Sequence, residues 1–321
     1  MRLLVTGGSG FLGRRVVLRA LDQGHQVTAL VRSPSAQDLM RGLGARTVHG
    51  DLNRPAAAEA AFGEATADTL ISIASLGTGH APTVVAAAEH AGIRRAVFLS
   101  TTGIFTTLDP PSKRVRTAAE ATIRSSVLEW TIVRPTMIYG GPDDRNMCRL
   151  LTLLRRCPVM PLPGGGHHLQ QPVHVEDLAE VVLRAAQTRA AVRRSYNIAG
   201  PEPSTFREIV ATASDAVGRR VVCVPFPAGP VRALVRAHER RSSRPRLKAE
   251  QISRLLEDKC FPIDEARRDL GFAPRTFADG IRAQAQSRHG ANLPPTAPPT
   301  TPAHRPATDG HAGTPVSEVL A

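Results

Sequence analysis

The feature that most constrains the fold is a group of glycines between a short apolar run and a helical pattern, in the stretch VTGGSGFLGRR. Gly8, Gly10 and Gly13 are spaced as G-x-G-x-x-G, and Gly7, Gly10 and Gly13 as G-x-x-G-x-x-G. Such glycines allow a tight turn, a close approach of the backbone to a pyrophosphate, and packing of the helix on the sheet. The free N–H groups at the helix start would hold the anion. The stretch therefore predicts a dinucleotide-binding turn.

Short apolar runs alternate with helical patterns over the first two hundred residues, which is typical of βαβ units around a parallel sheet. After the run that precedes the glycines, the predicted strands cover 26–31, 45–50, 68–74, 95–101, 129–135 and 195–200. The predicted fold class is α/β, a doubly wound parallel sheet of the Rossmann type with a smaller, mainly helical C-terminal lobe.

The second half of the chain has a different pattern. After about Pro201 helices dominate, the first of them with Ser204 as its predicted N-cap. The stretch 158–172 is so rich in proline and glycine that we expect a long surface loop. The predicted domains are an NAD(P)-binding Rossmann domain at 1–139 plus 173–200, a substrate lobe at 140–172 plus 201–287, and a disordered Pro/Thr/Ala-rich tail at 288–321.

The net charge of +13 raises the question of nucleic acid or acidic membranes. Arginine is spread along the chain, and only the segment 232–248 is densely basic. We interpret that segment as a solvated face, and the 4% aromatic content argues against single-stranded nucleic acid. The four cysteines form no C-x-x-C pair, and no apolar run reaches the ~18 residues of a membrane span. We expect reduced thiols in a cytoplasmic protein.

The end of the second predicted strand distinguishes NAD from NADP. A carboxylate there would bind the ribose 2′-hydroxyl of NAD, whereas an arginine accommodates the 2′-phosphate of NADP. This strand ends with Arg32 and Ser33 and no acid, which favours NADP(H) over NAD(H). Arg14 and Arg15 could add positive charge. Asp51, after the third strand, could accept a hydrogen bond from the adenine amino group or cap a helix.

The motifs TGGSGFLG, GDL, SIA, FLSTTG and RPTMIYG occur in this order. With them the sequence resembles the extended and atypical short-chain dehydrogenase/reductases over about 1–285. It is similar above all to the NAD-dependent epimerase/dehydratase group and to the atypical branch related to a complex I accessory subunit. The resemblance implies an NAD(P)-dependent oxidoreductase or epimerase/dehydratase-like enzyme acting on a small organic molecule, and pairing of two copies through helices of the parallel sheet.

The resemblance also implies which residues would hold the cofactor. They would surround the pyrophosphate, the adenosine, the ribose and the nicotinamide in turn. The cofactor-binding residues expected on this basis are Gly7, Ser9, Gly10, Phe11, Leu12, Gly13, Arg32, Ser33, Asp51, Leu52, Ile73, Ala74, Ser75 and Pro135.

The acid/base pair of this family is a tyrosine four residues before a lysine, whose charge favours the phenolate. Counting back from Glu120, the acid that usually follows, places the lysine position at Arg116 and the tyrosine position at Ser112. An arginine can still supply positive charge, but a serine hydroxyl is a poor general acid. Thr102 matches the family's catalytic Ser/Thr, or it bonds its own backbone at a strand end.

Three replacements for the tyrosine remain open. Lys113 could serve if burial lowers its pKa, as in isoflavone-reductase-like enzymes, or it is a solvated side chain at a helix start. Tyr139 lies near the expected nicotinamide, although its family role is more often packing. His167, His168 and His174 border the predicted loop, and no ligand spacing there indicates a metal. A second hypothesis is a catalytically silent NADP(H)-binding sensor or assembly subunit.

Overall fold

The computed structural model describes residues 1–144, 146–227, 229–230, 235 and 253–287. All of these belong to one compact unit, Met1–Ala291. The predicted tail and, apart from position 235, the basic segment 232–248 lie outside the described residues. In the part that is described, no helix is both long and apolar enough to cross a membrane.

Strands and helices alternate along the chain as the sequence predicts. The strands are β1 (Arg2–Thr6), β2 (Gln26–Val31), β3 (Arg46–His49), β4 (Thr69–Ser72), β5 (Arg95–Leu99), β6 (Glu129–Pro135), β7 (Ile138–Tyr139), β8 (Val159–Pro163), β9 (Leu169–Gln170), β10 (Val173–His174), β11 (Arg194–Ile198), β12 (Ser204–Thr205) and β13 (Val222–Phe226). The helices are α1 (Phe11–Asp22), α2 (Pro34–Gly42), α3 (Pro55–Ala65), α4 (Ala81–His90), α5 (Pro111–Ser125), α6 (Met147–Arg156), α7 (Val175–Gln187), α8 (Phe206–Ala216), α9 (Asp264–Leu270) and α10 (Phe277–Ser287).

The central sheet has seven parallel strands in the order β11-β6-β5-β4-β1-β2-β3. The strand order reverses between β1 and β4, which is the arrangement of a doubly wound sheet. The predicted Rossmann-type α/β fold is confirmed. Its strands are nearly continuous apolar runs because helices cover both faces.

Alternation along β1 divides the core between the two faces of the sheet. Leu3 and Val5 pack in one hydrophobic cluster with Val16 and Val17 of α1, and Leu4 packs in a second cluster that includes residues of α3, α4 and α5. A third cluster lies in the C-terminal part, where α6, α8 and α10 pack around Tyr139. The sheet therefore has its two buried faces, and the C-terminal helices have a core of their own.

The prediction of a loop over 158–172 was wrong. Within it, β8 pairs in parallel with β13 and β9 pairs antiparallel with β12. Prolines are tolerated in β8 because a strand of a two-stranded sheet has an open edge. The predicted cap of α8 was also one residue early. Thr205 Oγ1 accepts a hydrogen bond from Glu208 N at 3.2 Å, and Glu208 Oε2 accepts one from Thr205 N at 2.7 Å, a reciprocal capping box.

Strand ends matter most at β5. The predicted strand 95–101 stops at Leu99, and Thr101 caps a 3₁₀ turn over Thr102–Phe105. The early end of β5 leaves three consecutive hydroxyl residues at the carboxyl edge of the sheet.

The four cysteines are free thiols, with Cys148 buried and Cys260 exposed.

Candidate functional site

The glycine turn that follows β1 requires glycine at two positions. Gly7 has φ +72°, and a Cβ there would lie 2.7 Å from Ala74 N and 3.0 Å from Ile73 C. A Cβ at Gly13 would overlap the carbonyl oxygen of Gly7 and the backbone of Gly8. The first contact joins β1 to the end of β4, and the second lets α1 lie against the turn.

Gly8 is less constrained than its neighbours. A Cβ there would meet the side-chain sulfur of Met40 at 3.1 Å, and that side chain is flexible. Of the two overlapping triplets, the geometry therefore favours Gly7, Gly10 and Gly13. Helix α1 begins after Gly10 without a side-chain cap, so its first N–H groups are open to an anion. The turn has the shape that a dinucleotide pyrophosphate needs.

The point where the strand order reverses lies beside this turn. The hydroxyls of Thr6 and Ser72 are 3.2 Å apart, and Thr6 Oγ1 accepts a hydrogen bond from Ala74 N at 3.4 Å. These contacts hold the ends of β1 and β4 together. In open α/β sheets, ligands bind in the crevice outside the carboxyl ends of the strands at such a point.

The adenosine end of the predicted site contains the exposed Arg32 and the acid Asp51, whose carboxylate is hydrogen-bonded within its own loop. Arg32 is exposed at the end of β2, and Ser33 Oγ caps α2 by accepting from Ala36 N at 3.3 Å. Asp51 Oδ1 accepts from Asn53 N at 3.0 Å, and this hydrogen bond is the main cause that lowers the pKa of Asp51. Asp51 does not cap α3, whose N-cap is Arg54.

Arg14 and Arg15 have acidic partners on the neighbouring elements. Arg14 pairs with Asp143, and Arg15 contacts Asp143 at 3.3 Å and Glu176 at 3.0 Å. The suggestion that they add positive charge for a phosphate is therefore weakened. These pairs tie α1 to the segment after β7 and to the start of α7.

A cavity of about 220 Å³ opens at the carboxyl ends of β4 and β5. It adjoins the glycine turn through Ile73, whose backbone a Cβ at Gly7 would meet. Apolar side chains, hydroxyls and two guanidinium groups line it. The lining residues are Ile73, Ser75, Leu76, Leu99, Ser100, Thr101, Gly103, Arg116 and Arg254.

Most hydroxyls at this edge direct their protons into the protein. Ser100 donates to Glu120 at 2.7 Å. Thr101 and Thr102 donate to the carbonyl of Pro135 at 3.4 and 3.3 Å. Thr102 is 6% exposed and its hydroxyl is bonded to the backbone of a neighbouring strand, not to its own backbone as the alternative had it; its catalytic role stays a prediction. Ser75 accepts from Gly77 N at 3.2 Å, which leaves its proton for a ligand.

Glu120, behind Ser100, is a buried carboxylate with a guanidinium partner. Arg134 Nε donates to it at 2.9 Å and Nη2 at 2.5 Å, and Arg124 lies 3.5 Å away. Burial alone would raise the pKa of Glu120, but the hydrogen bonds from Arg134 and Ser100 outweigh burial and lower it. The carboxylate stays ionised and fixes the orientation of Ser100.

Arg116, at the predicted lysine position, reaches the cavity from α5. Its guanidinium lies against the backbone of Gly77, where a Cβ would be 3.0 Å from Nη2. Burial lowers the pKa of Arg116, and the charge of Arg254 lowers it further. Arg254, from a distant part of the sequence, lines the same cavity. The family resemblance implies no role for Arg254.

Arg254 belongs to a segment, residues 253–261, that we call the crossing segment. Glu257 anchors it to the loop after β5 by accepting from Thr107 N at 2.8 Å. Asp258 anchors it to β9 by accepting from Leu169 N at 2.8 Å. Phe261 packs on Phe105 with ring centroids 5.7 Å apart. The crossing segment thus forms one wall of the cavity.

The three replacements for the tyrosine lie elsewhere. Lys113 donates to the carbonyl of Thr106 at 2.6 Å, and Ser112 is half-buried at the start of α5. Neither lines the cavity. Tyr139 is 1% exposed in the C-terminal core, against the ring of His174 at 5.2 Å. Burial raises the pKa of Tyr139, which together with its position favours a packing role.

The histidines also have structural surroundings. His174 Nδ1 caps α7 by accepting from Glu176 N at 3.3 Å, and burial lowers the pKa of His174 to about 4. His168 lies 3.3 Å from Asp258. The sequence reasoning missed Ser100, Thr101 and Arg254 as cavity residues. The first two stood beside Thr102 in FLSTTG, whereas no local pattern marks Arg254.

Comparison with known proteins places this geometry in context. The NAD(P)H-binding family matches residues 7–189. The 4-hydroxy-2-methyl-3-oxo-4-farnesyl-3,4-dihydroquinoline-1-oxide ketoreductase of Stigmatella aurantiaca is 28% identical, covering 89% of this chain and 96% of its own length. Photosystem II assembly factor Ycf39 of Trieres chinensis is 26% identical, covering 68% and 70%. UDP-glucose 4-epimerase of Thermotoga maritima, solved with UDP-glucose, shares the fold with TM-score 0.71 and 16% identity, covering 90% and 99%.

Proposed function

This chain belongs to the NAD(P)H-binding family, and on that premise we propose that it is an NADP(H)-dependent oxidoreductase of a small carbonyl compound that works without a Tyr-x-x-x-Lys pair. The observation that carries the proposal is the cavity beside the glycine turn, lined by hydroxyls and two guanidinium groups. A ketoreductase among the relatives supports the reaction class.

NADP(H) is the proposed form of the cofactor because of the groups at the end of β2. Arg32 is exposed there, and no acid occupies the place that would bind a ribose 2′-hydroxyl. Its charge is close enough to Asp51 to help lower the pKa of that carboxyl. Gly7, Gly10 and Gly13 with the start of α1 would hold the pyrophosphate.

The protein's own contribution is positioning and charge. A bound reduced nicotinamide would supply a hydride for the carbonyl carbon and become oxidised, and the carbonyl oxygen would take up a proton. Arg116 supplies positive charge that stabilises negative charge developing on oxygen. Ser100 and Thr101 already donate to Glu120 and Pro135, so neither is the proposed proton donor, and water, directly or through the Ser75 hydroxyl, is the proposed source of the proton.

The cofactor proposal is tested by calorimetric titration with NADPH and, separately, NADH at fixed salt. We expect tighter binding of NADPH, with the preference reduced about tenfold by Arg32→Ala, because one charge-assisted contact is lost. Arg41→Ala is the matched control, since Arg41 is exposed on α2 and bonded to Thr47. Equal binding of both nucleotides, or an equal loss in both variants, contradicts the assignment.

The reaction is tested separately by following NADPH absorbance with a panel of ketones and enones. Oxidation of NADPH that depends on the carbonyl compound supports the proposal. A broad panel that gives no turnover, with a protein that binds NADPH, contradicts the enzyme and leaves the cofactor site standing.

A catalytically silent sensor or assembly subunit is the second candidate. It is favoured by Ser112 and Arg116 at the expected acid/base positions, and by the likeness to an assembly factor. This candidate predicts a protein partner that co-purifies and whose affinity changes with NADPH. Partner binding that ignores the cofactor rules out the sensor.

A further inference from the structure

His80 lies at the adenosine end of the predicted cofactor site, immediately before α4. The next residue, Ala81, packs in the same buried cluster as Leu52, which follows Asp51. The start of α4 and the loop after β3 therefore lie together, and His80 and Asp51 stand where these two parts of the chain leave the core.

Arg32 reaches the same place from the end of β2. Strand β2 pairs in parallel with β3, and Gly50 N, just past β3, donates to the carbonyl of Val31 at 3.1 Å. Arg32 thus lies beside the loop that carries Asp51. We call Arg32, Asp51 and His80 the adenosine-end cluster, because the charges of the first two both act on the histidine.

The imidazole of His80 is half-buried and does not cap α4. Burial is the largest cause that lowers the pKa of His80, and the charge of Arg32 lowers it further, while the charge of Asp51 raises it. Among the described residues, these are the charged groups that act on the ring, and the start of α4 adds a partial positive charge. The ring is therefore mainly neutral at pH 7 in the free protein.

A phosphate bound at this cluster would change that balance. The 2′-phosphate of NADP(H) carries nearly two negative charges above its second pKa of about 6. Next to Arg32 it would outweigh the arginine's charge and favour the protonated form of His80, which donates a charge-assisted hydrogen bond. NAD(H) has a hydroxyl at this position, so it would leave the ring neutral.

We propose that His80 is a second ligand of the 2′-phosphate of NADP(H), beside Arg32, and that it binds the phosphate as an imidazolium after taking up a proton from solvent. The inference rests on the proposed NADP(H) cofactor and adds a pH dependence to it. Arg32 supplies a permanent charge, whereas His80 supplies one that forms on binding. Discrimination between NADPH and NADH should therefore be stronger at lower pH.

The test is calorimetric titration of the full chain with NADPH and, separately, NADH at pH 8.5, 7.5 and 6.5 and fixed salt. Because the complex holds more protons than the free protein, NADPH affinity should rise as pH falls, by roughly three- to tenfold over this range. NADH affinity should change less than about twofold. At pH 7.5 the heat of NADPH binding should vary with the ionisation enthalpy of the buffer, as proton uptake requires.

Variants assign the effect to His80. His80→Asn and His80→Gln keep a polar side chain that does not titrate, so both should abolish the pH dependence of NADPH binding and the buffer-dependent heat. Their NADPH affinity at pH 8.5 should stay close to that of the unsubstituted chain. His90→Asn is the matched control, because His90 lies at the other end of α4, 3.1 Å from Glu59. Its expected effect is none, and the thermal midpoint of each variant checks the fold.

Three results overturn the inference. One is an NADPH affinity that is the same at all three pH values, and another is a pH dependence that both His80 variants retain. The third is an equal pH dependence for NADPH and NADH, since His80 would then contact the adenine or ribose that both nucleotides share. NADPH binding without pH dependence leaves the proposed function standing, whereas failure to bind NADPH at any pH defeats that function and this inference with it.

Discussion

The glycine turn and the cavity beside it are built from different materials. At the turn the working groups are backbone atoms, and the side chains at Gly7 and Gly13 are absent because a Cβ would strike Ala74 or the Gly7 carbonyl. In the cavity the working groups are side chains on three separate parts of the chain, Ser100, Arg116 and Arg254. The first region tolerates little change of sequence, because its geometry depends on the absence of side chains.

This difference explains why the glycine turn could be predicted with more certainty than the acid/base residues. Backbone geometry depends on the absence of side chains and leaves no alternative residue. Helix α5 buries Ala119, Glu120 and Ile123, so packing constrains the residue type at positions 112 and 116 less than the glycine turn constrains its own positions. Fold and cofactor site therefore say little about the reaction.

The largest effect on the free energy of unfolding is expected at Glu120, the buried carboxylate next to the cavity. Glu120→Gln removes the charge that compensates Arg134, whose side chain is only 11% exposed. The free energy of unfolding should fall by about 3–5 kcal/mol, measured by urea denaturation at pH 7. Arg124→Gln, which removes an exposed partner of the same carboxylate, should cost less than ~1 kcal/mol. Equal losses in both variants would mean that Glu120 is not the centre of this cluster.

The next largest effect is expected at the glycine turn, on the affinity for NADPH. Gly13→Ala forces the Cβ against the Gly7 carbonyl and should weaken NADPH binding roughly 100-fold, about 3 kcal/mol. Gly8→Ala, which meets a flexible methionine, should weaken it less than tenfold. Calorimetry with the thermal midpoint of both variants separates loss of the site from loss of the fold. A stronger effect at Gly8 would show that the other glycine triplet is the one that matters.

Acid should destabilise the C-terminal core through His174. Burial holds its pKa at about 4, below the unfolded value of 6.5, so the folded state binds fewer protons in between. The stability that this neutral histidine contributes is complete above pH 6.5 and is lost as pH falls toward 4, by about 2 kcal/mol between pH 7 and pH 5. His174→Asn keeps an acceptor for the α7 cap, and its unfolding free energy should fall less steeply over that range.

The smallest effect is expected at Tyr139. Its hydroxyl has no hydrogen-bond partner among the described residues, so Tyr139→Phe should leave the free energy of unfolding unchanged or raise it by up to ~1 kcal/mol. NADPH oxidation should not change. Loss of turnover in a stable variant would instead make Tyr139 the missing acid and shift the reacting group from the cavity to the C-terminal core.

Sequence reasoning reached the fold and the turn because both are local. Strands β2 and β6 were predicted to the residue, since short runs rich in β-branched and apolar residues mark buried strands. The choice between the two glycine triplets was not local, because the contact that excludes a Cβ at Gly7 comes from Ala74.

The cavity was only partly predictable. Arg116 was found by counting from Glu120, but the orientation of the hydroxyls in FLSTTG depends on the end of β5 at Leu99 and on the cap at Thr101, which the predicted strand 95–101 did not include. Arg254 could not be found, because the crossing segment reaches the cavity through contacts such as Glu257 with Thr107, 150 residues away. Strand β8 was missed because pairing with β13 outweighs its proline content.

The large sequence separation between the crossing segment and the residues that it contacts sets the order in which parts of the fold can form. Chains fold as they are synthesised from the N-terminus, and contacts between distant residues form slowly because a long loop must close first. Strands β1 to β6 and the glycine turn are complete by residue 135, more than a hundred residues before Arg254 leaves the ribosome. A nascent chain can therefore complete the glycine turn while the cavity still lacks the wall that the crossing segment provides.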